Sequence, residues 1–143
     1  MGVQLQALDV QLAAEGTMTH FLNIDLELRG TAGVRELIQA LEPSMLVLRM
    51  TDTEASLEHR EQPQSVEEGL HWLAQVVESL PADARRQWDA CETRTMDVGI
   101  QAEPQQVAAL FSVSRDAMAA LLRIGAELLF TVYAPCTDRL ATP

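Results

Sequence analysis

The sequence predicts an α+β domain: a mixed, largely antiparallel sheet with its helices packed on one face. Three observations carry this prediction. Apolar residues alternate with polar ones over residues 19–29, 54–61 and 95–101, the two-residue period of a strand with one buried side. Helical spacing governs residues 66–80 and 115–124 instead. The strands also fall in neighbouring pairs rather than alternating singly with helices, which argues against a doubly wound parallel fold.

Residues 1–17 read as an N-terminal extension, 18–136 as a single domain and 137–143 as a loose tail. In the first strand, Leu22, Ile24, Leu26 and Leu28 are expected to face the helices, and Phe21, Asn23, Asp25 and Glu27 the other side. Gly30 ends that strand. Thr31 is expected to cap a short helix carrying Val34, Leu37, Ile38 and Leu41, stopped by Pro43. Residues 45–50 and 54–61 read as a hairpin turning at Asp52, with Glu54, Ser56, Glu58 and Arg60 on its polar side.

Ser65 through Glu68 is a capping box, and the helix after it buries Val66, Leu70, Leu73, Val77 and Leu80. Pro81 opens a second short helix with Ala84, Trp88 and Cys91 on one side. Met96, Val98 and Ile100 alternate with Thr95, Asp97, Gly99 and Gln101 in a strand. Residues 107–113 read as a further strand. Ser114 then caps a helix whose Ala117, Met118, Leu121, Leu122 and Ile124 share a side, and Gly125 stops it. Residues 128–133 finish the sheet, with Leu128, Phe130 and Val132 toward the helices and Leu129, Thr131 and Tyr133 away.

Composition narrows the function. A chain of 143 residues with 48% hydrophobic content can bury a core of its own. No apolar run approaches the roughly 20 residues of a membrane span, and no basic segment precedes an apolar one as in a secretory signal. The reading is therefore a cytoplasmic protein, with Cys91 and Cys136 reduced; a disulfide between them stays open. The net charge of −11 argues against nucleic acid and anionic membranes, whose phosphates require basic side chains. All ten basic residues are arginines, so Schiff-base and general-base lysine chemistry is excluded.

No catalytic, metal or cofactor motif is present. His20, His59 and His71 make no metal-binding spacing, and neither cysteine lies in a nucleophile elbow. Phosphate-cradling glycine loops are missing too. No cofactor and no catalytic residue is assigned, and the balance leans away from an enzyme. The candidate binding residues are Phe21, Asn23, Asp25, Glu27, Glu58, Asp97 and Tyr133, expected together on the helix-free side of the sheet. Aromatic side chains within a polar rim suit an interface; an ordinary solvated sheet face explains the same pattern.

Residues 111–114 (FSVS), 117–122 (AMAALL), Gly125–Ala126 and 130–133 (FTVY), with a central helix between the two tryptophans, resemble small bacterial proteins grouped as domain of unknown function 4279. The resemblance spans residues 66–134 and implies no catalytic residues. The expectation is a non-catalytic binding or regulatory module, with a basic protein or a second copy of the chain as its partner. The alternatives are an immunity-type inhibitor of a basic toxin, and a small-ligand binder or enzyme using carboxylates of the open face.

Overall fold

The computed structural model describes residues 18–135 of the chain. Within them lie five strands, β1 (His20–Arg29), β2 (Met45–Met50), β3 (Glu54–His59), β4 (Thr93–Gln101) and β5 (Glu127–Tyr133). Four helices accompany these: α1 (Arg35–Leu41), α2 (Val66–Glu78), α3 (Ala82–Ala90) and α4 (Arg115–Ile124). The strands form one sheet in the order β2-β3-β1-β4-β5. All neighbours are antiparallel except β4 and β5, which run parallel with α4 as the crossover. This is the α+β class that the sequence predicts. The expected extension and tail lie outside the described residues.

One side of the sheet carries the core. Ile24, Leu26 and Leu28 of β1 align with Leu57 and Ala55 of β3 and with Met96 and Val98 of β4, and all are buried. Helix α2 packs on β1 and β3, α4 on α2 and β5, and α3 on α1. Gly69 allows α2 to come this close: a Cβ there would lie 2.6 Å from Ile24 Cδ1 and 3.2 Å from Pro63 Cγ.

The helix ends follow the local chemistry. Ser65 Oγ accepts from Glu68 N at 3.1 Å, and Glu68 reaches back to Gln64 N at 3.0 Å. Ser114 Oγ accepts from Ala117 N at 3.0 Å and also donates to Glu67, which ties the start of α4 to the first turn of α2. Gly125 closes α4 in the left-handed region, with φ 68°. Arg94 fastens that end, with Nε on Gly125 O at 2.8 Å and Nη1 on the carbonyls of Trp88, Asp89 and Cys91. Trp88, fully buried, donates from Nε1 to Ile124 O at 2.6 Å. One arginine and one tryptophan thus satisfy the carbonyls where α3 and α4 end.

Several sequence expectations are corrected. Residues 107–113 form no strand, and Val107 and Leu110 stand fully exposed. The connection from β4 to α4 is a loop over this stretch. Helix α1 begins at Arg35 rather than after Thr31, because Gly33 at φ 100° turns the chain first. Pro81 stands at the N-cap of α3, one position earlier than expected. Arg60 lies past the end of β3 and donates from Nε to Glu42 O at 2.8 Å.

The correction that matters most for the site is in β1. A register shift between Phe21 and Asn23 places Leu22 at a bulge. Phe21 therefore pairs with buried Ile100 and packs against the core on the helix side. Leu22 takes its place on the open face.

Candidate functional site

The helix-free face of the sheet holds the candidate site. The antiparallel register brings three carboxylates into one row: Asp25 on β1 stands opposite Glu58 on β3 and opposite Asp97 on β4. Cross-strand neighbours of this kind hold their Cβ atoms about 5 Å apart. The row ends in apolar side chains, Leu46 beside Glu58 and Leu129 beside Asp97.

Each outer carboxylate of the row has a neutral hydrogen-bond donor. Asn23 Nδ2 donates to Glu58 Oε2 at 2.6 Å, and Thr131 Oγ1 donates to Asp97 Oδ1 at 2.7 Å. In the next row Glu27 accepts from Ser56 Oγ and lies 3.7 Å from Arg49 Nη2. Asp25, in the middle, has no such partner among the described residues. Burial raises its carboxyl above the ordinary 3.8, and the charges of Glu27, Glu58 and Asp97 raise it further.

Beside the row lies a concavity of about 540 Å³. Asp25 and Asp97 line it together with Leu22, Asn23, Gly99, Gln101, Tyr133 and Ala134. Gly99 leaves it open: a Cβ there would meet Asn23 O at 3.5 Å and Tyr133 Cε2 at 3.6 Å, ordinary contacts, but a larger side chain would enter the space. Tyr133 is half exposed and presents its ring to the same space. The site thus offers carboxylates, an aromatic ring, two amide side chains and a leucine.

Of the seven residues expected from the sequence, Asn23, Asp25, Asp97 and Tyr133 line this concavity. Glu58 adjoins it through Asp25 and Asn23, and Glu27 lies one row along β1. Phe21 is not part of it. The sequence reading missed Leu22, Gly99 and Gln101 as lining residues. A glycine inside a strand was the available signal, since it marks close approach of a ligand or backbone.

The histidines lie elsewhere. His59 and Trp72 meet on the helix side as a tilted pair, with ring centroids 4.9 Å apart and planes at 38°. His71 Nε2 lies 2.9 Å from Glu67 Oε2, and His20 Nδ1 lies 2.8 Å from Met18 O. Among the described residues no three His, Cys, Asp or Glu side chains are grouped to hold a metal ion. Cys91 is buried against Gln87 O, and burial raises its thiol above the usual range. Cys136 lies outside the described residues. No helix among them is long and apolar enough to cross a membrane.

No protein-family model matches the chain, and neither a curated protein nor a solved structure matches it. The likeness to domain of unknown function 4279 accordingly rests on the quoted residues alone.

Proposed function

We propose that the chain is a non-catalytic binding module whose open sheet face receives a cationic side chain of a basic protein. The observation that carries this is the juxtaposition of the Glu58–Asp25–Asp97 row with the concavity under Tyr133. An arginine or lysine entering there would meet two carboxylates and an aromatic face. Its charge would also relieve the crowding around Asp25, so binding would lower that carboxyl toward its ordinary value. The overall charge of −11 steers a basic partner toward the molecule. An immunity-type inhibitor of a basic toxin is the specific form of this reading. A cytoplasmic setting belongs to it.

A second reading has its own support. The volume of the concavity falls within the range of small-molecule sites, about 300–1,000 Å³, so a free organic cation would fit the same chemistry.

The test is a titration of ¹⁵N-labelled protein with an arginine-rich peptide and, separately, with free arginine. The amides of Asn23 and Gly99 should shift in the first case for the protein-partner reading, and in both for the small-cation reading. Asp25→Asn/Asp97→Asn should weaken peptide binding about tenfold or more, as expected for loss of close charge contacts. Glu68→Gln/Glu78→Gln removes equal charge from α2 and should change it little. Equal weakening by both pairs would reduce the effect to net charge and overturn the site.

A further inference from the structure

The two outer strands of the sheet are built differently. β2 is an interrupted edge: a bulge falls between Val47 and Arg49, and Arg49 turns back over the sheet to Ser56 and Glu27. β5 has no such device. Its seven residues, ELLFTVY, pair with β4 in unbroken register, and among the described residues nothing pairs with its other side. The strand contains no proline, no basic residue and one charge, Glu127.

The backbone direction of this edge follows from one hydrogen bond. Tyr133 O accepts from Ala102 N at 3.0 Å, so the polar backbone groups of Tyr133 point toward β4. By the alternation of a strand, Glu127, Leu129 and Thr131 do likewise, and the N–H and C=O groups of Leu128, Phe130 and Val132 point outward. Three outward residues at equal spacing form a self-complementary set.

The side chains above that edge are apolar as well. Phe130 and Val132 lie on the helix side opposite Val98 and Ile100, yet they are 40% and 60% exposed. On α4, Arg123 pairs with Glu78 and marks the flank toward α2. Met118 and Leu122, one turn apart on the same helix, are 47% and 80% exposed. Phe130 and Val132 thus leave apolar side chains exposed along an edge that is unpaired among the described residues.

We propose that β5 pairs antiparallel with β5 of a second copy about a two-fold axis at Phe130, joining two five-stranded sheets into one. In that register Phe130 meets Phe130 of the second copy, and Leu128 meets Val132, each in a doubly hydrogen-bonded pair. Leu129 meets Thr131, and Glu127 meets Tyr133, whose hydroxyl can donate to the carboxylate. No two like charges oppose each other along the seam. For a chain of net charge −11 that is the condition self-association has to meet, and the acidic open face does not meet it. The same pairing sets Glu127 of the second copy beside Tyr133, at the rim of the concavity described above. The second copy, rather than an unrelated strand, is therefore the occupant the edge fits.

Sedimentation velocity on the full chain at tens-of-micromolar concentration tests this. The expected species has twice the mass of 15.8 kDa. Val132→Pro removes an outward N–H that β4 does not use, so the monomer should fold and the dimer should be lost. Phe130→Glu, at a position 40% exposed, sets two like charges face to face on the two-fold axis and should also abolish the dimer, and it decides the matter if the proline variant fails to fold. A wild-type chain that stays monomeric overturns the proposal. So does a dimer that survives Phe130→Glu, because it must use another surface.

Discussion

At the scale of single residues, Asp25 and Glu67 show how the same chemistry takes opposite signs. Glu67 accepts from the hydroxyl and the amide of Ser114, and those hydrogen bonds hold its carboxyl below the ordinary value. Asp25 is partly buried among three other acids, and its carboxyl is raised. A raised carboxyl binds more protons in the folded state than in the unfolded one. Its cost to stability is therefore absent below the ordinary pKa of 3.8 and grows as pH rises through the raised value. Asp25→Asn should consequently raise the urea midpoint at pH 7, with the gain shrinking as the pH is brought below 4. Urea melts at the two pH values check the sign, and a loss of stability at pH 7 would show that the Asp25 charge is compensated in the fold. Tolerating such a residue costs stability that function at the open face would explain.

Among the elements, α2 is the most legible and the most consequential. Its stripe of Val66, Leu70, Leu73 and Val77 is buried as the periodicity predicts, while Gln75 is exposed. Leu73→Ala should cost about 2–5 kcal/mol and Leu121→Ala on α4 a similar amount, as for other buried leucines. Gln75→Ala should stay within about 0.5 kcal/mol. Denaturant titrations giving equal small effects at Leu73 and Gln75 would contradict the packing. The caps of α2 and α4 were equally legible, because Ser65, Ser114 and Gly125 act through local hydrogen bonds and backbone freedom, whereas the starts of α1 and α3 differ from the expected Thr31 cap and Pro81 first position. β1 was legible only in part. Its period of two holds from Asn23 onward, but a bulge at Leu22 depends on how β4 pairs with it, and a single strand's sequence carries no sign of that. Phe21 was misplaced for this reason. In residues 107–113 the apolar residues Val107 and Leu110 reach no sheet, so a run of strand-forming residues stood without a partner. β5 was recognised as a strand, but burial of Phe130 and Val132 depends on what packs over the edge, a tertiary property.

For the molecule as a whole, charge is the dominant variable. Twenty-one acidic side chains against ten arginines leave the fold repelling itself, and the described ion pairs are all exposed or partly so. Such pairs contribute little, about 0–1 kcal/mol each. Added salt should therefore raise the thermal midpoint between low and physiological ionic strength, where the screening length falls from about 30 Å to about 8 Å. Calorimetry in sodium chloride would show this, and a falling midpoint would mean that attractive pairs outweigh the net repulsion. The position of the candidate site was legible only at the level of rows: alternation placed Asn23, Asp25 and Asp97 on one side. That Asp25 sits between Glu58 and Asp97 required the strand order β3-β1-β4, which connects segments more than thirty residues apart.

The placement of the parallel pair has a consequence for how the chain is made. All three antiparallel ladders join segments that have been synthesised by Gln101. A nascent chain at that point already contains four of the five strands, together with the helices α1, α2 and α3. β4 is then the outermost strand, and it stays bare while the loop, α4 and finally β5 leave the ribosome. During that interval the buried row Met96, Val98 and Ile100 lacks its neighbour, and an adhesive edge is on display until β5 docks.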